Sequence, residues 1–371
     1  MKERSAWEAC YNQLTQQALS AFYREDRNAN CVFSPYSVLA LLAMMVLSSE
    51  GSTREEVLQA LKMPTGEALI QSVSEFASIL DQTQCLISAN AAAVDAELEN
   101  CMHQDFIQAF VQNLAGKCFA TDDLPQAINT WVRDQTYGMI PKIVGDSDLL
   151  DFALINAVSF DAKWQEPYEE DDLEEGRVFR NSNGTKSEVR MMNSTEDQYI
   201  ENEDYTGFVR PYQQDFAFVA LLPKKKGKRA MQKIVDTVDF SRVYRNRREE
   251  KVNVALPEFQ NSYRQDLSEF LKTQGIRKAF GSGADFSPMT DLPVYVSSVL
   301  HQAKIEVNPH GTKAATATIA VVAVFGLPVF HLEVVLDRPF LYAIVHTQTA
   351  LPVFVGVVND LKEGEEPCAK N

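Results

Sequence analysis

The pattern of apolar residues changes near residue 151, and this change constrains the fold more than any other feature of the sequence. Before it, apolar residues recur every three or four positions, for example over 7–22 and 69–80, which is the periodicity of amphipathic helices. After it, short runs rich in β-branched and aromatic residues dominate. Because helices come first and strands follow, without regular βαβ alternation, the sequence predicts an α+β fold.

Individual elements follow from the same patterns. Ser34 and Pro35 precede an apolar run, Val38–Leu47, which predicts a buried helix with Gly51 as its stop. A further helix is expected over Leu267–Gly275. The predicted strands are Ala153–Phe160, Phe216–Leu222, Val252–Phe259, Val294–Leu300, Phe330–Leu336, Phe340–His346 and Leu351–Val358. There is neither an internal repeat nor a linker rich in Gly, Pro or Ser, so residues 1–371 are expected to form a single domain.

Composition and charge disfavour several classes of protein. Apolar residues make up 45% and charged residues 23% of the chain, values typical of a folded globular protein. A formal net charge of −16 disfavours a nucleic-acid partner, because phosphate binding relies on Lys and Arg. The one basic run, Lys224–Arg229, is expected to be a solvated loop rather than a polyanion site. The longest apolar stretch, Ala314–Phe330, is interrupted and too short for a membrane helix, so no membrane association is expected.

Sequence motifs for catalysis or metal binding are missing. The five histidines are scattered, and there is no HExxH, GxSxG or phosphate-binding loop. The six cysteines include no CxxC pair and are expected to be mostly buried small hydrophobes rather than a disulfide or metal framework. We therefore expect neither an enzyme nor a protein that carries a metal or another cofactor.

The segment Gly311–Leu327 is the most unusual part of the sequence. It begins with Gly-Thr, continues through small residues and ends in β-branched and apolar ones. A buried strand of an ordinary sheet is one interpretation. However, the fourteen residues from Thr312 to Phe325 would span about 45 Å when extended at about 3.3 Å per residue. Strands usually have about 5–6 residues, so this segment is long for an ordinary strand.

Several separate stretches of the sequence resemble the serpin family, and together they cover nearly the whole chain. The strongest is Val334–Ile344, with the sequence Val-Val-Leu-Asp-Arg-Pro-Phe-Leu-Tyr-Ala-Ile. Further serpin-like stretches occur in the expected order at Phe33–Ser37, Gly51–Thr53, Ile128–Val132, Asn156–Phe160, Lys163–Trp164, Leu256–Pro257, Ala284–Ser287 and His301–Ala303. The segment from Gly311 onward then falls where a serpin has its reactive-centre loop.

The resemblance implies a serpin fold of three β-sheets and about nine helices, with an exposed reactive-centre loop at about 309–332. It also implies a serine protease inhibitor that acts as a suicide substrate. The target protease attacks one peptide bond of the loop. The loop then inserts into the central sheet of a metastable fold before the acyl-enzyme is hydrolysed. The expected partner is therefore a serine protease, bound covalently by a monomeric inhibitor.

The first part of the loop can be compared with this mechanism. In the family this part is the hinge, which corresponds here to Pro309, Gly311, Thr312, Ala314, Ala315, Thr316, Ala317 and Thr318. If Thr312 faces inward, strand alternation sends Lys313 outward to solvent. The same alternation also buries Ala314, Thr316, Thr318, Ala320 and Val322. The inward set contains neither a charge nor a proline, so it can enter a sheet without burying a charged group.

Two hinge positions depart from the family pattern. Inhibitory serpins usually have an acidic residue where this chain has Pro309, and commonly a Glu where it has Lys313. Pro309 cannot donate a ladder hydrogen bond, so it bears on how easily the top of the sheet opens. One alternative is therefore a non-inhibitory serpin, with a binding or chaperone-like role, whose loop is only a substrate. A hydrolase is the alternative from another class, but the sequence offers no motif for it.

Loop spacing and composition predict the specificity. Counted from Pro309 in the register usual for inhibitory serpins, the scissile bond is Phe325-Gly326, with Val324-Phe325 as the alternative. No Arg, Lys or Asp lies between Ala314 and Asp337, which disfavours proteases that require a charged residue. The expected targets are chymotrypsin-like or subtilisin-like for cleavage after Phe325, and elastase-like for cleavage after Val324, Ala323 or Val322.

The resemblance also implies roles for residues outside the loop. Trp164 corresponds to the tryptophan at the upper end of the central sheet. The shutter, a polar cluster that controls opening of this sheet, corresponds to Ser34, Ser37, Asn156 and His301. A hydrogen-bonded core cluster is the purely structural interpretation of the same four residues.

The cellular location follows only from the loop. Because the loop suits extracellular proteases, a secreted location is favoured. A cytoplasmic location stays open, because no export signal is visible.

Overall fold

The computed structural model describes residues 2–96, 101–145, 152–312 and 332–361 of the chain. These residues contain nine α-helices and three β-sheets, so the predicted α+β class is confirmed. Within the same ranges, no helix is long and apolar enough to cross a membrane.

Most of the helices lie in the first third of the chain. They are α1 (Lys2–Glu25), α2 (Pro35–Ser48), α3 (Gly51–Leu61), α4 (Gly66–Asp81), α5 (Gln104–Leu114), α6 (Leu124–Gln135), α7 (Lys228–Val235), α8 (Phe240–Arg245) and α9 (Ser268–Thr273). Apart from Leu47, α2 is buried along its length, as its apolar sequence predicts. The prediction that Gly51 is a helix stop is wrong, because Gly51 is the first residue of α3. The basic run is a loop only as far as Gly227, because α7 begins at Lys228.

The strands are mostly found after residue 151. They are β1 (Cys31–Phe33), β2 (Leu86–Asp95), β3 (Lys117–Thr121), β4 (Phe152–Phe160), β5 (Ala162–Lys163), β6 (Leu173–Arg180), β7 (Lys186–Glu196), β8 (Gln198–Glu201), β9 (Tyr205–Pro211), β10 (Phe216–Pro223), β11 (Val252–Pro257), β12 (Phe259–Asp266), β13 (Ser298–Asn308), β14 (Gly311–Thr312), β15 (Leu332–Val335), β16 (Phe340–His346) and β17 (Pro352–Val358). The strand predicted at 252–259 is interrupted at Glu258 and becomes β11 and β12. The strand predicted at 294–300 begins only at Ser298.

The strands form three sheets. One has six strands in the order β1-β17-β16-β10-β9-β8, and another has four in the order β15-β11-β7-β6. The third follows the order β3-β2-β4-β13-β14-β5, with β12 also paired to β13. In this third sheet β4 and β13 are parallel, with Ala153–Ala157 opposite Ser298–Gln302.

The chain divides into two compact units. The first comprises Met1–Leu14, Phe33–Ser159 and Arg264–Lys304. Its core includes Leu124, Ile128 and Val132 of α6, which belong to one buried cluster with Ala91 of β2 and Ile155 of β4. The parallel β4–β13 pairing lies within this unit.

The second unit comprises Thr15–Val32, Phe160–Tyr263 and Ile305–Asn371. It contains the six-stranded and four-stranded sheets, together with β14, β5 and the end of β13. Aromatic rings fill its core, and Phe218 of β10 stacks on Tyr342 of β16 with ring centroids 5.6 Å apart. Each unit is assembled from three separate stretches of chain. That residues 1–371 form a single domain stays a prediction.

Candidate functional site

The end of β13 turns back on itself at the predicted hinge. Asn308 pairs with Gly311, so Pro309 and His310 are the two residues of a tight turn. The Asn308 Oδ1 atom accepts a hydrogen bond from the His310 N–H at 3.0 Å and stabilises this turn. Pro309 therefore lies between the two paired strands, where its missing N–H costs no ladder hydrogen bond.

The two residues after the turn, Gly311 and Thr312, form the short strand β14, which we call the hinge strand. It pairs with β13 on one side and β5 on the other, and it is antiparallel to both. Gly311 has φ +156°, and a Cβ atom at this position would collide with the carbonyl oxygen of Ala162. A glycine is thus required for β14 to lie so close to β5.

The side chain of Thr312 points into the protein. It is fully buried, and its hydroxyl lies 2.6 Å from the hydroxyl of Tyr212. The Tyr212 ring stacks on the ring of Trp164, with centroids 4.4 Å apart and an angle of 12°. Trp164 is fully buried, and its indole N–H donates to the carbonyl of Asn308 at 2.9 Å. These contacts place Trp164 directly against the hinge.

The segment Trp164–Tyr168 also holds the turn through its backbone. The Trp164 N–H donates to the carbonyl of His310 at 3.1 Å, and the Tyr168 N–H donates to the carbonyl of Pro309 at 3.0 Å. Together with the indole bond to Asn308, three consecutive carbonyls of the hinge turn accept hydrogen bonds from this one segment.

A buried ion pair lies beside the same segment. Arg210 and Glu196 form a salt bridge in which each side chain is only 6% exposed. The Arg210 guanidinium lies 3.9 Å from the ring centroid of Tyr168 and 5.1 Å from that of Trp164. It also donates to the carbonyl of Glu166. Burial raises the pKa of the Tyr168 phenol to about 12, although the nearby Arg210 charge acts in the opposite direction.

The four residues predicted as the shutter lie together in the first unit, and all are fully buried. Ser34 caps α2, because its hydroxyl accepts the N–H of Ser37 at 3.2 Å. The Ser34 N–H donates to His301 Nε2 at 3.2 Å, and the Ser37 hydroxyl donates to the Asn156 side-chain oxygen. We call these residues the polar cluster.

Two further members of the polar cluster were missed by the sequence analysis. The Asn156 amide nitrogen donates to the Ser88 hydroxyl at 3.0 Å and to the Asn90 side-chain oxygen at 2.7 Å. The amide nitrogen of Asn90 in turn donates to the carbonyl of Leu114, the last residue of α5, at 2.8 Å. Ser88 and Asn90 are two apart in the small-residue run of β2, so strand alternation was the signal that places them on one face.

His301 is kept neutral by its surroundings. Burial lowers its pKa from 6.5 to about 3. Its Nε2 atom accepts the Ser34 N–H, which places the ring proton on Nδ1. Among the described residues, that Nδ1 atom has no hydrogen-bond partner.

Several predicted positions lie outside the described residues. They are the hinge residues Ala314, Ala315, Thr316, Ala317 and Thr318, the outward Lys313, and the scissile-bond candidates Val324, Phe325 and Gly326. In the ranges that are described, no group of three His, Cys, Asp or Glu side chains is arranged to hold a metal ion.

Comparison with known proteins places the chain in a family. The family model for serpins, the serine protease inhibitors, matches residues 9–361. An alpha-1-antitrypsin-like protein of Tamias sibiricus is 30% identical over 383 residues, covering 94% of this chain and 88% of that protein. Plasminogen activator inhibitor 1 of Bos taurus is 30% identical over 357 residues, covering 90% and 88% respectively.

A solved structure agrees with these matches. The native state of the thermophilic serpin Tengpin superimposes with a TM-score of 0.84 at 31% identity, covering 95% of this chain and 94% of that one. The three sheets and the helices of the described residues therefore form the serpin fold. The chain belongs to the serpin family.

Proposed function

We propose that the protein inhibits serine proteases as a monomeric suicide substrate, through insertion of its cleaved loop into the β4–β13 sheet. The observation that carries this proposal is the position of the hinge strand. Gly311 and Thr312 already lie between β13 and β5, with Thr312 fully buried. Membership of the serpin family supports protease inhibition in general.

Strand pairing supplies a driving force for insertion. The hinge strand is antiparallel to both of its neighbours, and a loop that continued in this direction would be antiparallel to β4 and β13. It would replace their parallel pairing over 153–157 and 298–302 with two antiparallel pairings. Antiparallel pairing is slightly more stable per residue than parallel pairing. The inserted loop would also form two rows of hydrogen bonds, one with β4 and one with β13, in place of the single row between them. The inserted state is therefore favoured.

The side-chain pattern of the loop fits the same step. Thr312 faces inward, and alternation from it directs Ala314, Thr316 and Thr318 inward as well. Small and β-branched side chains fit a buried face, whereas a charge there would be costly. Lys313 falls in the outward set.

The chemistry of trapping uses the bond that the sequence predicts. The protease serine attacks the carbonyl carbon of Phe325, an ester forms, and the Phe325-Gly326 peptide bond breaks with release of the Gly326 amine. The outcome depends on whether the loop inserts before water hydrolyses this ester. The apolar loop suits a chymotrypsin-like or subtilisin-like target, or an elastase-like one if Val324-Phe325 is the bond cleaved.

A serpin whose loop is only a substrate is the alternative function. The feature behind it is Pro309, which bears on how easily the top of the sheet opens. In the structure Pro309 occupies the turn, and its carbonyl accepts the Tyr168 N–H at 3.0 Å. This position supports the inhibitor over the alternative, because the proline does not interrupt any strand pairing.

The proposal can be tested by mixing the protein with chymotrypsin and with an elastase. We expect a band on a denaturing gel at the summed mass of protein and protease, and cleavage mapped by mass spectrometry after Phe325 or Val324. Phe325→Asp is the matched variant, and it should abolish the complex with chymotrypsin while the folded protein keeps its melting temperature. Clean loop cleavage without the heavier band would leave the fold intact and refute the inhibitory mechanism.

A further inference from the structure

The hinge turn is held by one short segment of chain, Trp164–Tyr168. This segment donates three hydrogen bonds to the turn carbonyls of Asn308, Pro309 and His310. The turn is the point from which any inserting loop must continue into the sheet. Whatever fixes this segment therefore also fixes the start of insertion.

A single side chain contacts this segment at both ends and in the middle. The Arg210 guanidinium lies over the rings of Trp164 and Tyr168 and donates to the carbonyl of Glu166 between them. Its remaining contacts anchor it to β7, because it forms the ion pair with Glu196 and donates to the Ser194 hydroxyl at 3.2 Å. Ser194 in turn donates to the Glu196 carboxylate at 2.6 Å.

From these contacts we propose that Arg210 is a positioning residue for the hinge. Anchored to β7 through Glu196, it fixes the Trp164–Tyr168 segment, and this segment holds the turn at 309–310 as a fixed pivot for the loop. The proposal concerns a residue to which the sequence motifs gave no role. It rests on the proposed function only where it concerns inhibition.

The chemistry of arginine suits this task. Its planar guanidinium stacks on aromatic faces while its fork of N–H groups reaches several acceptors at once, which a lysine ammonium cannot do. Stability alone does not explain the pair, because replacing a buried ion pair by apolar residues of similar volume is often neutral or even stabilising. The pair instead determines the position of the groups around it.

The test compares three variants by hydrogen-exchange mass spectrometry and thermal unfolding. Arg210→Lys keeps the charge but loses the fork. Arg210→Met combined with Glu196→Gln removes the ion pair without leaving a buried charge. Arg177→Met is the matched control, since Arg177 pairs with Glu174 at 3.0 Å on a half-exposed surface of the same unit.

In both Arg210 variants we expect about tenfold faster exchange at the amides of Trp164 and Tyr168 and across 308–312, the expected result of local opening. Exchange in β16 and β17 and the melting temperature should stay close to those of the unmodified protein and of Arg177→Met. Unchanged exchange at the hinge would overturn the proposal. A uniform increase throughout the unit would also overturn it, because Arg210 would then have only a general role in stability.

The exchange measurement needs no protease, so the two proposals can fail independently. If the unmodified protein forms no covalent complex but the Arg210 variants loosen the hinge, the inhibitory mechanism fails and the role of Arg210 stands. If the complex forms, we expect a change in the fraction of inhibitor molecules that are cleaved in the loop without forming it. This fraction should rise at least about threefold in both Arg210 variants. If that cleaved fraction and the exchange at the hinge are both unchanged in the Arg210 variants, the role of Arg210 is refuted and the inhibitory mechanism stands.

Discussion

The hinge and the polar cluster both bury polar groups, but they satisfy them in different ways. At the hinge, backbone carbonyls accept hydrogen bonds from the indole and main-chain N–H groups of the Trp164–Tyr168 segment. This segment is contacted in turn by Arg210 of the buried ion pair. In the polar cluster, neutral side chains of Ser37, Asn156 and Asn90 hydrogen-bond in sequence, from the start of α2 to the end of α5. One region is organised around a main-chain turn and the other around matched donors and acceptors.

This difference indicates how each region can be disrupted. A chain of matched neutral groups loses stability when one member is deleted, because its partners stay buried without hydrogen bonds. The hinge strand tolerates loss of one contact better, since several groups share the turn. It does not tolerate an added charge on its inward face, because Thr312 is fully buried.

The largest expected effect is that of Thr312→Arg. Burying an unpaired guanidinium costs several kcal/mol, so the hinge strand should leave the sheet and the cleaved loop should not insert. We expect the covalent complex with the target protease to fall by at least about tenfold while loop cleavage continues. Gel densitometry at equal protease and inhibitor measures both products.

Lys313→Glu is the control for this prediction, because it changes a charge at a position that strand alternation predicts to face outward and should leave complex formation in place. An undiminished complex with Thr312→Arg would show that trapping does not require the hinge to enter the sheet, and the contrast drawn between the two regions would then be wrong.

Deletion in the polar cluster should have the next largest effect. Asn156→Ala removes the acceptor of Ser37 and the donors to Ser88 and Asn90. We expect it to lower the free energy of unfolding by about 2–4 kcal/mol, measured by urea unfolding. Asn113→Ala, which removes one hydrogen bond within α5, is the control and should cost less than about 1 kcal/mol. Equal losses in the two variants would contradict the cooperative character of the cluster.

The comparison also shows what a sequence can predict. Three sheets, the buried helix α2 and the positions of Trp164 and the hinge glycine follow from local pattern or family resemblance. Arg210 and Glu196 were missed because no local periodicity encodes the ion pair between β9 and β7 or the packing of Arg210 on the Trp164–Tyr168 segment. Likewise α7 was missed because its basic start resembles a solvated loop, although Met231, Ile234 and Val235 are buried.

The polar cluster should also make stability depend on pH. His301 has a pKa of about 3 in the folded protein because it is buried, against 6.5 ordinarily. The unfolded chain therefore takes up a proton below pH 6.5 that the folded protein refuses, so stability is lost as the pH falls from 6.5 towards 3. At pH 5 this one group should cost about 2 kcal/mol.

His301→Gln removes this titration and keeps an acceptor for the Ser34 N–H. Its urea midpoint should change less between pH 7 and pH 5 than that of the unmodified protein. His346, whose pKa burial also lowers, is present in both proteins and so does not affect the difference. Parallel pH profiles would mean that His301 takes up its proton as readily in the folded protein as in the unfolded chain, and the account of a neutral cluster would fail.

The smallest expected effect tests whether the hinge shares its contacts as the comparison requires. Tyr212→Phe removes the hydroxyl that lies 2.6 Å from the Thr312 hydroxyl but keeps the ring that stacks on Trp164. One lost hydrogen bond is worth about 1 kcal/mol, so hydrogen exchange at Gly311 and Thr312 should rise about fivefold with little change in the melting temperature. Because the turn keeps its three bonds from the Trp164–Tyr168 segment, complex formation should persist. A loss as large as that of Thr312→Arg would instead make this one hydroxyl contact the principal determinant of the hinge, and the turn would be secondary to it.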